Sequence, residues 1–227
     1  MKSILRKNYL LIIFYIIEAF LYASFLVFDF YNTSVAEYIK YSSVLLCLLA
    51  SLIIIASKKS NFCALFTFLA LVFTCISDYF LLLAHDNSTY ILGVFTFFIV
   101  QIFYFLIILK RRNFDKFKLE LLIRLSVIIL IIIICLVIKQ NALTTIALSY
   151  FSQLFINFIS SLFLIKKNKK NAVFSIGLFL FICCDIFVGL NNLTFNNQTL
   201  TFAFYYLMWL FYLPSQVILS TNTYFLE

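Results

Sequence analysis

Apolar residues run through this chain in blocks of about twenty, separated by short clusters of Lys, Asn, Asp and Ser. At a rise of about 1.5 Å per residue, a block of that length crosses the hydrocarbon of a bilayer as one helix. Eight such blocks occur, at 9–28, 39–56, 62–84, 90–109, 120–138, 142–165, 172–190 and 199–220. The pattern predicts an all-α, polytopic membrane bundle of eight transmembrane helices, one integral membrane domain over residues 1–227. Several connections are short, HDNST at 85–89, KQNA at 139–142 and KKNKK at 166–170. Short links favour antiparallel sequential neighbours, an up-down order.

Composition agrees. With 65% hydrophobic and 11% charged residues, a water-soluble domain of this size would leave large apolar patches in water. Of the 17 basic residues, all but Lys40 and Lys139 fall on the side of the bundle that holds both termini. The positive-inside rule then gives both ends of the chain to the cytoplasm. The net charge of +8 is topology and contact with anionic lipid, with no support for a nucleic-acid partner. Glu18 and the length of the first block argue for an uncleaved first helix rather than a signal peptide. Six cysteines, mostly inside the blocks, read as packing residues. Four Asn-x-Ser/Thr triplets, at Asn32, Asn87, Asn192 and Asn197, fall on the expected outer face.

Three acids interrupt the apolar blocks: Glu18, Asp78 in TCISDYFLLL and Asp185 in FICCDIFVGLNN. An ionised Asp at a helix centre costs about 2.5–3.5 kcal/mol, so three would together cost roughly 8–10 kcal/mol. No basic residue is expected inside a block to offset them, Arg124 standing near an end. Each acid must hold a proton, accept hydrogen bonds or face a wet cavity, and a protonated acid in that setting is a proton donor. From their helix starts, Asp78 and Asp185 both lie roughly 20–25 Å along the bundle, at one level in the outer half. Ser77-Asp78-Tyr79-Phe80 and Cys184-Asp185-Ile186-Phe187 stand in corresponding blocks and hint at a four-plus-four duplication.

Polar partners recur at helical spacing. Ser149, Gln153, Asn157 and Ser160 line one face of the sixth block; Tyr205, Trp209, Tyr212 and Gln216 line one face of the eighth. Gln101 and Tyr104 do the same in the fourth, and Tyr15, Glu18 and Tyr22 in the first. Such stripes serve either as interhelical glue, about 0.6 kcal/mol per bond, or as the wall of a polar cavity. His85 is the single histidine, placed beside Asp86 at a loop, so no metal site is expected. With three glycines there is no phosphate loop or nucleophile elbow.

The run LVFTCISDYFLLL followed by YILGVFTFFIVQIFY, with Asp78, Gly93, Phe97, Gln101 and Tyr104, resembles the YhhN-like lysoplasmalogenase family of eight-helix membrane proteins. Lys40 in YIKYSSVLL is similar to that family's lysine at the second helix. IGLFLFICCDIFVGLNN resembles its second aspartate motif, and YLPSQVIL its final Tyr-x-x-x-Gln helix, giving Tyr212 and Gln216. The resemblance covers the second to eighth helices. Ser77 stands where the family has Gly, Gln101 where it has His, and no proline follows Lys40. A glutamine cannot exchange a proton as histidine does and can only position a substrate or water.

The resemblance implies a lipid hydrolase that cleaves the vinyl-ether bond of a lysoplasmalogen, its substrate a lysophospholipid drawn from the membrane. Asp78 and Asp185 would be the catalytic pair, one acid and one carboxylate in an unassigned order. Lys40, Gln101, Tyr104, Tyr212 and Gln216 would bind substrate or water, with Lys40 at the phosphate, and Asn157 and Gln153, read from the polar face of the sixth block, join them as candidates. No metal and no organic cofactor is implied. The alternatives are a proton-coupled small-molecule transporter and a non-catalytic lipid-binding membrane protein; few Gly or Pro breaks argue against discontinuous helices. For a bacterial source the cell membrane is expected. The oligomeric state is open.

Overall fold

The structure, a computed structural model, describes residues 2–31, 34–57, 61–84, 87–114, 117–193 and 198–225. His85, Asp86, Asn32, Asn197, Lys58, Lys59 and Lys116 lie outside the described residues, as do the side chains of 2–8, 57 and 87–88. Eight α-helices follow in order: α1 Lys2–Phe30, α2 Val35–Ser57, α3 Phe62–Asp78, α4 Asn87–Arg111, α5 Phe117–Val137, α6 Ala142–Lys167, α7 Ala172–Asn192 and α8 Gln198–Thr221. Among the described residues, eight helices are long and apolar enough to cross a membrane. A multi-pass membrane protein follows, since helices keep every backbone bond internal where no water is available. Asn61 and Asn141 cap two starts: each side-chain oxygen accepts from backbone N–H groups, Cys63 at 2.9 Å and Thr144 at 2.7 Å.

Six helices form a closed ring in the order α2, α3, α4, α6, α7, α8 and back to α2. The helix α1 lies outside against α2 and α8, and α5 lies outside against α6. This corrects the strict up-down order at one step: α4 packs along α6, and α5 reaches α4 through Phe117 on Phe105 and through Arg124. The cause is chemical. Gln101 of α4 and Asn157 of α6 bond each other, whereas only Arg124 and Cys135 of α5 are buried and its apolar faces are left to lipid.

Among the described residues the spanning helices stay continuous, with one change of pitch. After Asp78 the third helix changes pitch into a π-helical turn, Tyr79–Leu83. The wider turn brings Leu81 against α4, where a Cβ on Gly93 would stand 2.7 Å from Leu81 Cγ. The Ser77 hydroxyl donates to the Gly93 carbonyl at 2.5 Å, so Ser77 and Gly93 together hold the turn. In α8, Pro214 cannot donate to the Leu210 carbonyl, and the Tyr22 hydroxyl of α1 donates to it instead at 3.1 Å.

The interior is not free of cations, which is the second correction. Lys40 is fully buried in α2 and Arg124 is 4% exposed in α5. At the end of the bundle rich in Lys and Arg, Arg111 donates to Asn171 Oδ1 at 3.2 Å and to Asn222 Oδ1, and lies 4.6 Å from the Phe174 ring. That side chain fastens α4 to the start of α7 and to the turn after α8. All six cysteines are free, and five are buried.

Candidate functional site

Asp78 and Asp185 share one cavity. Its volume is about 280 Å³, near the low end for small-molecule sites, and it lies inside the ring between α2, the third helix, α4, α7 and α8. The two acids belong to helices that are not ring neighbours, so the fold brings them to a common space from opposite walls. Glu37 near the start of α2, Tyr90 near the start of α4, and Asn191 and Asn192 at the end of α7 line it towards the end away from Arg111. Asp78, at the last α-helical residue before the π turn, is 2% exposed. Asp185 is half-buried, with one carboxylate oxygen, Oδ2, sealed and without a hydrogen-bond partner.

Each acid has a tyrosine from another helix beside it. Tyr212 of α8 donates its hydroxyl to Asp78 Oδ2 at 2.6 Å. Tyr150 of α6 stands next to Asp185 without a hydrogen bond of good geometry, and its own hydroxyl is unpartnered. Phe97 packs between the two, 5.8 Å from the Tyr150 ring and 6.2 Å from Tyr212, with Phe181 at 5.7 Å. The acids therefore share the cavity with a wall of aromatic rings. Trp209 continues that wall, 5.4 Å from Tyr212.

Of the residues given a catalytic or binding role from the sequence, Asp78, Asp185 and Tyr212 line the cavity, together with Phe97, Tyr205 and Trp209. The others stand behind or beside it. Lys40 sits behind Tyr205 and Trp209, donating to Asp29 Oδ1 at 2.7 Å and to the Tyr205 hydroxyl at 3.1 Å. Its ammonium also lies 4.5 Å from the Trp209 ring and 4.7 Å from that of Tyr205. It is thus wrapped by one carboxylate and three rings, Phe25 standing at 5.7 Å. Asn157 donates to the Gln101 backbone carbonyl at 2.9 Å and to Gln101 Oε1 at 3.1 Å. Asn157 Oδ1 and Gln153 Oε1 accept from Arg124 at 2.9 and 3.2 Å. This amide network joins α4, α6 and α5. Tyr104 is fully buried against Phe174 with its hydroxyl unpartnered, and Gln216 Nε2 reaches Ser215 Oγ at 3.4 Å. Glu18 stands at neither acid: its carboxyl accepts from Ser43 Oγ at 2.5 Å and Cys47 Sγ at 3.5 Å, between α1 and α2.

Sequence reasoning missed Tyr150, Asp29 and the cavity end residues Glu37, Tyr90, Asn191 and Asn192. Tyr150 had a signal, because it precedes Gln153 and Asn157 by three and seven residues on the same polar face. Asp29 looks like a helix-end acid, and nothing local announces that α1 and α2 fold it onto Lys40. Among the described residues, no group of three His, Cys, Asp or Glu side chains forms a metal cluster.

The model of the YhhN family matches residues 35–222, from the first residue of α2 to the turn after α8, and the chain belongs to that family. None of the curated proteins and none of the solved structures compared with it matches.

Proposed function

We propose that this member of the YhhN family is a membrane-embedded lipid hydrolase that cleaves the vinyl-ether bond of a lysoplasmalogen. The observation that carries the reading is a pair of aspartates from opposite sides of the ring, facing one cavity beside tyrosines and an aromatic wall. Vinyl-ether hydrolysis begins when an acid protonates the alkenyl carbon remote from oxygen. The resulting oxocarbenium ion is captured by water, and the hemiacetal collapses to a fatty aldehyde and a glycerol hydroxyl. One carboxyl supplies the proton and one carboxylate takes the proton of the attacking water, the same division of labour as in other two-carboxylate sites. Phe97 and Phe181 line the space in which the cationic stage forms, and aromatic rings suit a cation there.

The remaining family positions fit as support in this reading. Gln101, Asn157 and Gln153 brace α4 and α6, and Tyr104, Gln216 and Lys40 are buried beside the cavity rather than in its lining. A substrate phosphate would meet the end carrying Asn191, Asn192 and Tyr90 rather than Lys40, whose ammonium is already paired. The chemistry uses the protein's own carboxyls and needs no metal or organic cofactor. With both termini cytoplasmic, the cavity opens towards the outer leaflet, of the cell membrane in a bacterium. The test is aldehyde release by purified protein in detergent from an alkenyl lysophospholipid, with the saturated alkyl analogue as control. Aldehyde from the alkenyl lipid alone is expected; none from folded wild-type protein removes the reading.

A further inference from the structure

The two aspartates are equivalent in sequence and unequal in structure. Asp78 is sealed and accepts a hydrogen bond from Tyr212 at 2.6 Å, a donor aimed at one of its carboxylate oxygens. Asp185 is half-buried at the cavity wall, and its Oδ2 receives no hydrogen bond. A charged oxygen left buried without a donor costs far more than a neutral one, so the stable form of Asp185 there is the acid. The cavity lining holds no Lys or Arg, and the buried Lys40 behind it is committed to Asp29. Nothing in that lining would neutralise a second carboxylate.

We infer that Asp185 is the proton donor of this site and Asp78 its standing carboxylate, with Tyr212 the positioning residue that keeps Asp78 ionised and aimed. The assignment rests on the hydrolase reading and completes its proton balance. Asp185 gives its proton to the alkenyl carbon, forming the C–H bond while the carbon–carbon π pair moves into it. Water attacks the oxocarbenium carbon, and Asp78 takes the proton that water loses. Collapse breaks the carbon–oxygen bond to glycerol: Asp78 returns its proton to the glycerol oxygen, and Asp185 recovers one from the hemiacetal hydroxyl. Both groups end as they began. The half-buried acid is the one a substrate reaches first, and the sealed carboxylate is the one shielded from exchange with bulk water.

Infrared spectroscopy of the full chain in detergent at neutral pH tests the assignment directly, because a protonated carboxyl and a carboxylate absorb at separate frequencies. Asp185→Asn is expected to lose a protonated-carboxyl C=O band that Asp78→Asn keeps, and Asp78→Asn to lose carboxylate absorption. Loss of the acid band in Asp78→Asn, or in neither variant, overturns the assignment. Tyr212→Phe gives a second readout that does not depend on either Asn variant folding: the carboxylate band should shift as its hydrogen bond disappears, and an unmoved band overturns Tyr212 as its holder. Aldehyde release is measured separately. Wild-type protein that is inactive but shows the expected bands defeats the hydrolase reading alone, whereas active protein with the bands reversed defeats the assignment alone.

Discussion

The first four helices and the last four follow the same packing order and fill it with opposite chemistry. In each half the first helix lies outside on the second, the second packs on the third and the third on the fourth; α4 then meets α6 as α8 meets α2. Each outer helix fastens to the ring through a buried charged side chain, α1 adding Asp29 on Lys40 near its end. From α1 it is Glu18, onto Ser43 and Cys47 of α2; from α5 it is Arg124, onto Gln153 and Asn157 of α6. Each third helix carries the cavity acid. The duplication hinted at by the two aspartate motifs thus has a counterpart in the packing. The lesson is that scaffold and chemistry separated: the ring needs a polar contact at each outer helix, and either sign of charge supplies it.

The largest effect is expected where the halves cooperate. Asp78→Asn and Asp185→Asn should each lower aldehyde release by about 10²–10⁴-fold, the usual worth of one acid or base group. The double variant should fall little further, since the two act in one proton cycle; kinetics on all three proteins would show independent sites if the losses multiplied.

Next comes the contrast between the outer helices. Arg124→Ala removes both donors from Gln153 and Asn157 and exposes buried amides, and should destabilise the protein by about 1–2 kcal/mol. That lies between the value for charged hydrogen bonds and the lower average inside membranes. Detergent-denaturation midpoints measure it. A smaller and more discriminating effect concerns the two tight glycines. A Cβ at Gly93 would stand 2.7 Å from Leu81 Cγ and one at Gly177 2.7 Å from Leu219 Cγ. Each Gly→Ala should cost about 1 kcal/mol of overpacking. Leu81 lines the cavity and Leu219 does not, so Gly93→Ala should also slow aldehyde release while Gly177→Ala leaves it intact. Smallest is Glu18→Gln, which keeps the volume and the bond from Ser43 and should shift stability by about 0.5 kcal/mol or less. A loss as large as that of Arg124→Ala would give Glu18 a role beyond docking.

Much of this molecule was legible from one dimension because lipid imposes a one-dimensional rule. A helix must be about twenty apolar residues long to satisfy its backbone across hydrocarbon, and the chain must state that length in its own sequence. The eight spans and the two costly aspartates follow from that rule, while Tyr212 stands out by the polar face of its helix and by the family resemblance. The burial of Lys40 was not legible, because its partners Asp29 and Tyr205 come from the end of α1 and from α8. The π turn was hidden for the same reason. Ser77 and Leu81 look ordinary until α4 presents the bare backbone of Gly93 to them.

The sequence by itself determined how many helices cross the membrane and which side chains are too polar to be there without cause. Only the tertiary structure decided that α5 lies outside the ring, that Tyr212 reaches Asp78 while Tyr150 leaves Asp185 unbonded, and that both acids open on one cavity. The physical reason is range. Hydrophobic length and the cost of a buried charge are properties of a segment, whereas a hydrogen-bond partner, a protonation state and a shared space are properties of whichever helices the packing sets side by side.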